Sequence, residues 1–125
     1  MIVGMGIDII DVERVKNSID RYGESFIKRV YTDSEIKFCG GRVKPEIAYA
    51  GRFAAKEAFA KAIGTGIARG VSWKNIEVDI EQSGKPSLIV RGRALEIARE
   101  LGARFFHISM TDTKKSAAAV VILEK

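Results

Sequence analysis

The chain of 125 residues has one cysteine, one histidine and two prolines. Each scarcity removes a class of function. Cys39 has no second cysteine with which to form an internal disulfide or a zinc site, which fits a reducing compartment and the ordinary role of a small apolar filler. His107 has no cysteine near it, so there is no His–Cys nucleophile pair, and nothing marks a serine triad. No apolar run reaches the roughly 18 residues of a spanning helix, and Met1 to Gly6 lack the basic leader of a secretory signal, so the expected location is the cytoplasm, with no membrane partner. Aromatic residues are 8% of the chain and, apart from Phe105-Phe106, stand singly. No strand carries the aromatic signature of a base-stacking sheet, which argues against an RNA-binding module.

What is present is enough apolar matter, 46%, to bury one core and not two, so residues 1–125 are expected to form one domain. Lys plus Arg number 21 against 16 Asp plus Glu, a net charge of +5. That excess favours an anionic partner: nucleic acid, a phosphorylated cofactor or an acidic protein.

Residues 1 to 10 are apolar or glycine, rich in Ile and Val, and too short for a buried helix, so they read as a buried strand interrupted by Asp8. Asp11 is placed to cap a helix reaching about Arg21, with Val12, Val15 and Ile19 inward; Gly23 breaks it before a second stretch containing Phe26, Ile27 and Val30. Thr32 and Glu35 have the spacing of a capping box, opening a short helix that ends at Gly40-Gly41. Pro45 suits a first helical turn, and Glu46 to about Ile63 has no breaker before Gly64-Thr65-Gly66, giving the longest helix. Ser72 to Asn75 form a turn. Ile76, Val78 and Ile80 alternate as in a half-exposed strand, and Ser83 to Pro86 turn the chain into Ser87 to Val90, a hairpin. A helix from Arg93 to Leu101 closes at Gly102, and strands near Arg104 to Met110 and Ser116 to Leu123 complete an α+β fold, a mostly antiparallel sheet packed on a long central helix.

On a helical projection Glu57 falls among Ala50, Phe53, Ala54 and Ala60, a costly place for a carboxylate. Lys61, one turn on, can pair with it, and Asp8 is a second carboxylate stranded in an apolar element. If strand and helix adjoin, the two carboxylates repel unless a cation such as Mg²⁺ lies between them. Gly4, Gly6 and Asp8 share one strand face without bulk. Tight packing of the helix against the glycines explains that face equally well. Arg52 and Lys56 share a neighbouring helix edge next to the glycine loop, a grouping able to hold phosphates or to form a solvated basic edge. His107, Ser109, Thr111 and Thr113 alternate with Ile108 and Met110, lining one strand face with hydrogen-bonding groups. Arg14, Arg21 and Lys28, spaced by seven, give the amino-terminal arm a positive face on which an acidic helical protein can dock.

Two segments, Gly4-Met5-Gly6-Ile7-Asp8-Ile9 and the run from Gly51 through Lys56-Glu57 and Lys61 to Gly66, resemble the signature motifs of the holo-acyl-carrier-protein synthase family. The Gly84-Lys85-Pro86 turn and the ending His107-Ile108-Ser109-Met110-Thr111 fall in the family's order. The resemblance implies a 4'-phosphopantetheinyl transferase that moves phosphopantetheine from coenzyme A to a serine of apo acyl carrier protein, serving fatty acid synthesis. It implies Mg²⁺ held by Asp8 and Glu57, with Lys61 adding charge for phosphoryl transfer. The base that takes the serine proton is either Glu57 or a metal-bound water. For coenzyme A it implies Arg52, Lys56, Lys61, Gly64, Thr65, Gly66, Lys85, Pro86, His107 and Ser109; for the carrier protein, Arg14, Arg21 and Lys28. A homotrimer sharing its sites between subunits is implied too, with no nucleic acid partner. Asp112 stands where the family often has another histidine. A phosphohydrolase using Asp8 and Glu57 and a purely structural trimer are the other readings.

Overall fold

The computed structural model describes all residues from Met1 to Lys125. Its order is β1 (Ile2–Asp11), α1 (Val12–Tyr22), α2 (Glu24–Val30), α3 (Asp33–Gly40), α4 (Pro45–Ala62), a 3-10 turn (Trp73–Asn75), β2 (Ile76–Ile80), β3 (Pro86–Val90), α5 (Gly92–Glu100), β4 (Phe105–Asp112) and β5 (Ser116–Glu124). The strands form two antiparallel sheets, β1-β5-β4 and the hairpin β2-β3, so the α+β expectation holds. No helix is long and apolar enough to cross a membrane.

The long helix α4 lies across the three-stranded sheet. Ala50, Ala54, Ala55, Ala58 and Phe59 on it are buried, and small side chains let its backbone approach the sheet. Gly4 and Gly6 permit that approach on the strand side: a Cβ on Gly6 would overlap the carbonyl of Ala58, and one on Gly4 that of Ala62. The glycine face is thus a packing surface for the helix, and Asp8, next on the same face, points the same way.

Three local expectations differ from the structure. β1 is covered on one face only; Met5, Ile7 and Ile9 point away from α4 and are 64%, 68% and 70% exposed. The continuous Ile-rich run imitates a strand covered on both sides because its inward positions are glycines rather than polar residues. Asp11 makes no side-chain capping bond, whereas Thr32 and Glu35 do form the capping box. Glu77, expected on the wet side of β2, is buried and pairs with Arg91 at 3.2 Å.

Candidate active site

The inward face of β1 and the last turns of α4 bring Asp8, Glu57 and Lys61 together. Lys61 Nζ donates to Asp8 Oδ1 at 2.8 Å and to the Ile7 carbonyl at 3.1 Å. The pairing of Lys61 with Glu57 raised by the sequence is therefore replaced by one with the strand: Asp8 offers its oxygen as part of a fixed element, and Ile7 adds a second acceptor. Glu57 is half-buried, and burial, then repulsion from Asp8, raises its pKa, while Lys61 and Arg14 pull it down. The pKa of Lys61 is raised, first by its hydrogen bond to Asp8.

Two carboxylates that repel one another at a half-open edge suit a divalent cation. They do not make a closed cage, since no cluster of three or more acidic, His or Cys side chains exists. An open pair fits Mg²⁺, which usually takes one or two carboxylates and completes its shell with waters and substrate phosphates.

Lys56 is not on a solvated basic edge. It is fully buried, 2.7 Å from Glu35 Oε1, and its remaining donors go to the carbonyls of Trp73 and Ile76. Burial lowers its pKa, and Glu35 works against that. As a ligand for coenzyme A phosphates it is withdrawn: the ammonium is already matched and shut off from solvent. The loop after α4 is also committed. The amide of Gly64 bonds to Lys61 O, and those of Thr65 and Gly66 both bond to Ala60 O, closing the helix end rather than facing outward.

On the other flank of α4 lies a cavity of about 780 Å³ lined by Phe38, Arg42, Lys44, Ala48, Arg52 and Pro86 among others. Arg52 is 4% exposed, lies 4.2 Å over the Phe38 ring and gives Nη1 to Ala48 O, while its buried Nε has no partner. Gly84 and Pro86 line the β3 side of the cavity. Lys85 beside them is exposed. Asp112 supplies the cavity's one carboxylate.

His107, Ser109 and Thr111 point to the outer face of β4, because Phe106, Ile108 and Met110 face α4. His107 lies 3.0 Å from Glu124. Register places His107 against Ile122 and Ser109 against Val120, with Met5 and Ile7 beyond, so these polar groups border the bare apolar face. Arg14 and Arg21 are exposed on α1, and Lys28 on α2 pairs with Glu24 at 3.3 Å.

The model of the 4'-phosphopantetheinyl transferase superfamily matches residues 4–121. The chain belongs to that superfamily. A holo-acyl-carrier-protein synthase of Koribacter versatilis is 46% identical over 124 residues, covering 99% of each chain. The crystal structure of such a synthase from Neisseria meningitidis superposes with a TM-score of 0.90 at 39% identity, covering 100% of both chains. One from Bacillus anthracis, solved in complex with CoA (3',5'-ADP), gives 0.82 at 38% identity, covering 98% of this chain and 96% of its own. Within this superfamily chain, Arg42, Lys44 and Phe38 are cavity residues that sequence reasoning passed over. Their signal is faint: two basic residues just before Pro45, where α4 presents the positive end of its dipole.

Proposed function

We propose that this protein transfers 4'-phosphopantetheine from coenzyme A to a serine of apo acyl carrier protein, releasing 3',5'-ADP, in the cytoplasm and in service of fatty acid synthesis. The observation that carries the reading is the pair of mutually repelling carboxylates, Asp8 and Glu57, with Lys61 bonded to one of them, in a chain of this superfamily.

Asp8 and Glu57 would hold Mg²⁺, which supplies neutralisation of the coenzyme A pyrophosphate. Lys61 brings a second positive charge to the oxygens that gain charge as the bond to 3',5'-ADP breaks. The serine hydroxyl forms the new oxygen–phosphorus bond and gives up its proton. Glu57 is the chain's own carboxylate placed to take it. The nucleotide end fits the cavity at the start of α4: Arg42, Lys44 and the unpaired Nε of Arg52 offer charge to phosphates, and Phe38, Ile47 and Pro86 offer apolar walls. Arg14, whose charge reaches Glu57, puts the basic arm next to the reaction centre and suits it for the acidic carrier protein.

In one chain these parts do not meet. Asp8 and the cavity flank opposite sides of α4, and His107 and Ser109 are on the far face of the sheet. A homotrimer closed over the bare faces of β1 and β5 joins them, one subunit supplying Asp8, Glu57 and Lys61 and its neighbour the remainder. Three exposed residues in a row, Met5, Ile7 and Ile9, make the kind of apolar patch that marks an interface.

The test is intact-mass spectrometry of apo acyl carrier protein incubated with coenzyme A, Mg²⁺ and this protein. A phosphopantetheine gain that vanishes with Asp8→Ala, with Glu57→Ala or with chelator supports the reading. Free phosphopantetheine in place of modified carrier would mean hydrolysis instead.

A further inference from the structure

Glu35 and Lys56 form the one ion pair whose two side chains are both 0% exposed. Every polar atom in it is used. The three ammonium donors reach Glu35 Oε1, Trp73 O and Ile76 O; Glu35 Oε1 also accepts the Thr32 amide at 3.0 Å, and Oε2 accepts the Val78 amide at 3.0 Å. A pair so placed adds little net stability over an apolar pair of the same volume, because desolvation offsets the attraction. What it does fix is direction: α3, α4 and the start of β2 are joined at one point by bonds that tolerate little rotation or slip.

The same three elements run on to the walls of the cavity beside α4. α3 leads to Phe38, Gly41 and Arg42; α4 carries Arg52 one turn before Lys56; β2 leads to Ile80 and, through its turn, to Gly84 and Pro86. The pair touches none of the cavity's open space, yet it joins the roots of all three walls.

We infer that Lys56 and Glu35 are positioning residues for the coenzyme A cleft, setting the distance of the β2–β3 turn from α3 and α4 and hence the affinity for the nucleotide, with no part in the chemistry at Asp8, Glu57 and Lys61. The inference rests on the reading that this cavity receives coenzyme A. It also accounts for a lysine within a helix-buried run where the sequence suggests a phosphate ligand.

The test is the double variant Glu35→Leu/Lys56→Met, with Glu35→Gln as a second arm that keeps the side-chain shape. In the double variant KM for coenzyme A should rise about tenfold while kcat changes by less than about twofold, as expected when walls shift but reacting groups do not. Amide exchange at Val78, Ile80 and Glu81 should quicken at the same time. Glu35→Gln keeps the shape but leaves the buried Lys56 charge without its partner, so it should give the same split at larger amplitude, and either variant carries the test alone if the other does not fold. An unchanged KM, or a kcat that falls while KM holds, in a folded variant overturns the inference. Should the unaltered protein turn over no coenzyme A, the functional reading fails, and hydrogen exchange alone then decides: equal protection of the β2–β3 amides in variant and parent overturns the positioning role.

Discussion

Lys61 Nζ sits 2.8 Å from Asp8 Oδ1, a contact across 53 positions of sequence, and leaves Glu57, one helical turn back, without it. The lysine therefore bridges helix and strand beside the two repelling carboxylates, and its bond to Asp8 raises its pKa. Replacing it with methionine should lower kcat by about 10²- to 10³-fold, the scale for removing one preorganised charge from a transition state. Thermal stability should hardly move, because a half-exposed ion pair contributes little. Lys61→Arg should recover part of the rate. Steady-state kinetics beside melting curves decide the matter; an active, normally folded Lys61→Met protein would remove Lys61 from the chemistry.

The raised pKa of Glu57 has a sign that can be measured without substrate. Between the ordinary glutamate pKa and the raised folded value, the native state holds a proton that the unfolded chain has released. Stability of the metal-free protein should accordingly fall as pH rises through that interval, the loss being complete above the folded value. Glu57→Gln cannot lose the proton, so its advantage in urea midpoint over the parent should grow as pH rises above the ordinary glutamate value and level off once pH passes the raised folded value. Asp8→Asn should show less of the effect in the parent background, since repulsion from Asp8 is the second cause of the shift. A difference between Glu57→Gln and parent that stays flat with pH, in chelator, would contradict the assignment.

At Gly6 a Cβ would overlap the backbone of Ala58 and crowd the amide of Ala62. Backbone cannot yield as a side-chain tip can, so Gly6→Ala should force β1 and α4 apart and destabilise by about 1–3 kcal/mol. Because Asp8 and Glu57, the two proposed metal ligands, ride on those two elements, the variant should also weaken Mg²⁺ binding. Chemical denaturation and metal titration of the same sample check both effects. Gly23→Ala serves as the contrast: nothing lies within 4 Å of a Cβ there, and its strain comes from φ of 56° alone.

Periodicity along a chain encodes what is local to it. Element order and the α+β architecture are local properties, set by alternation, capping at Thr32 and breakers at Gly23 and Gly64, and they read correctly. So does the adjacency of Gly4, Gly6 and α4, since a bare strand face demands a close neighbour. Partnership across space is another matter. Lys56 and Arg52 share a helix edge, but whether that edge faces water depends on α3 and β2, 21 and 20 residues away from Lys56 in the contacts with Glu35 and Ile76. The capping box gives Glu35 a complete local role, and its pairing with Lys56 has no sequence signal. The outward side of β1 was hidden for a similar reason: Ile7 and Ile9 are apolar whether the covering layer is this chain or another.

The division of the proposed centre between subunits can be tested by mixing inactive proteins. Asp8→Ala removes a group on the inner face of β1, and His107→Ala one on the outer face of β4; if each centre draws the first from one subunit and the second from its neighbour, mixing restores some centres. In trimers refolded together from equal amounts, three quarters contain both kinds of subunit and each of these has one intact centre in three, so about one quarter of parental activity should return. A monomer, or a trimer whose centres are self-contained, regains nothing. Ile7→Glu, which places a charge on the exposed apolar row, should abolish both assembly and the recovered activity, read by sedimentation and by carrier-protein mass in the same sample.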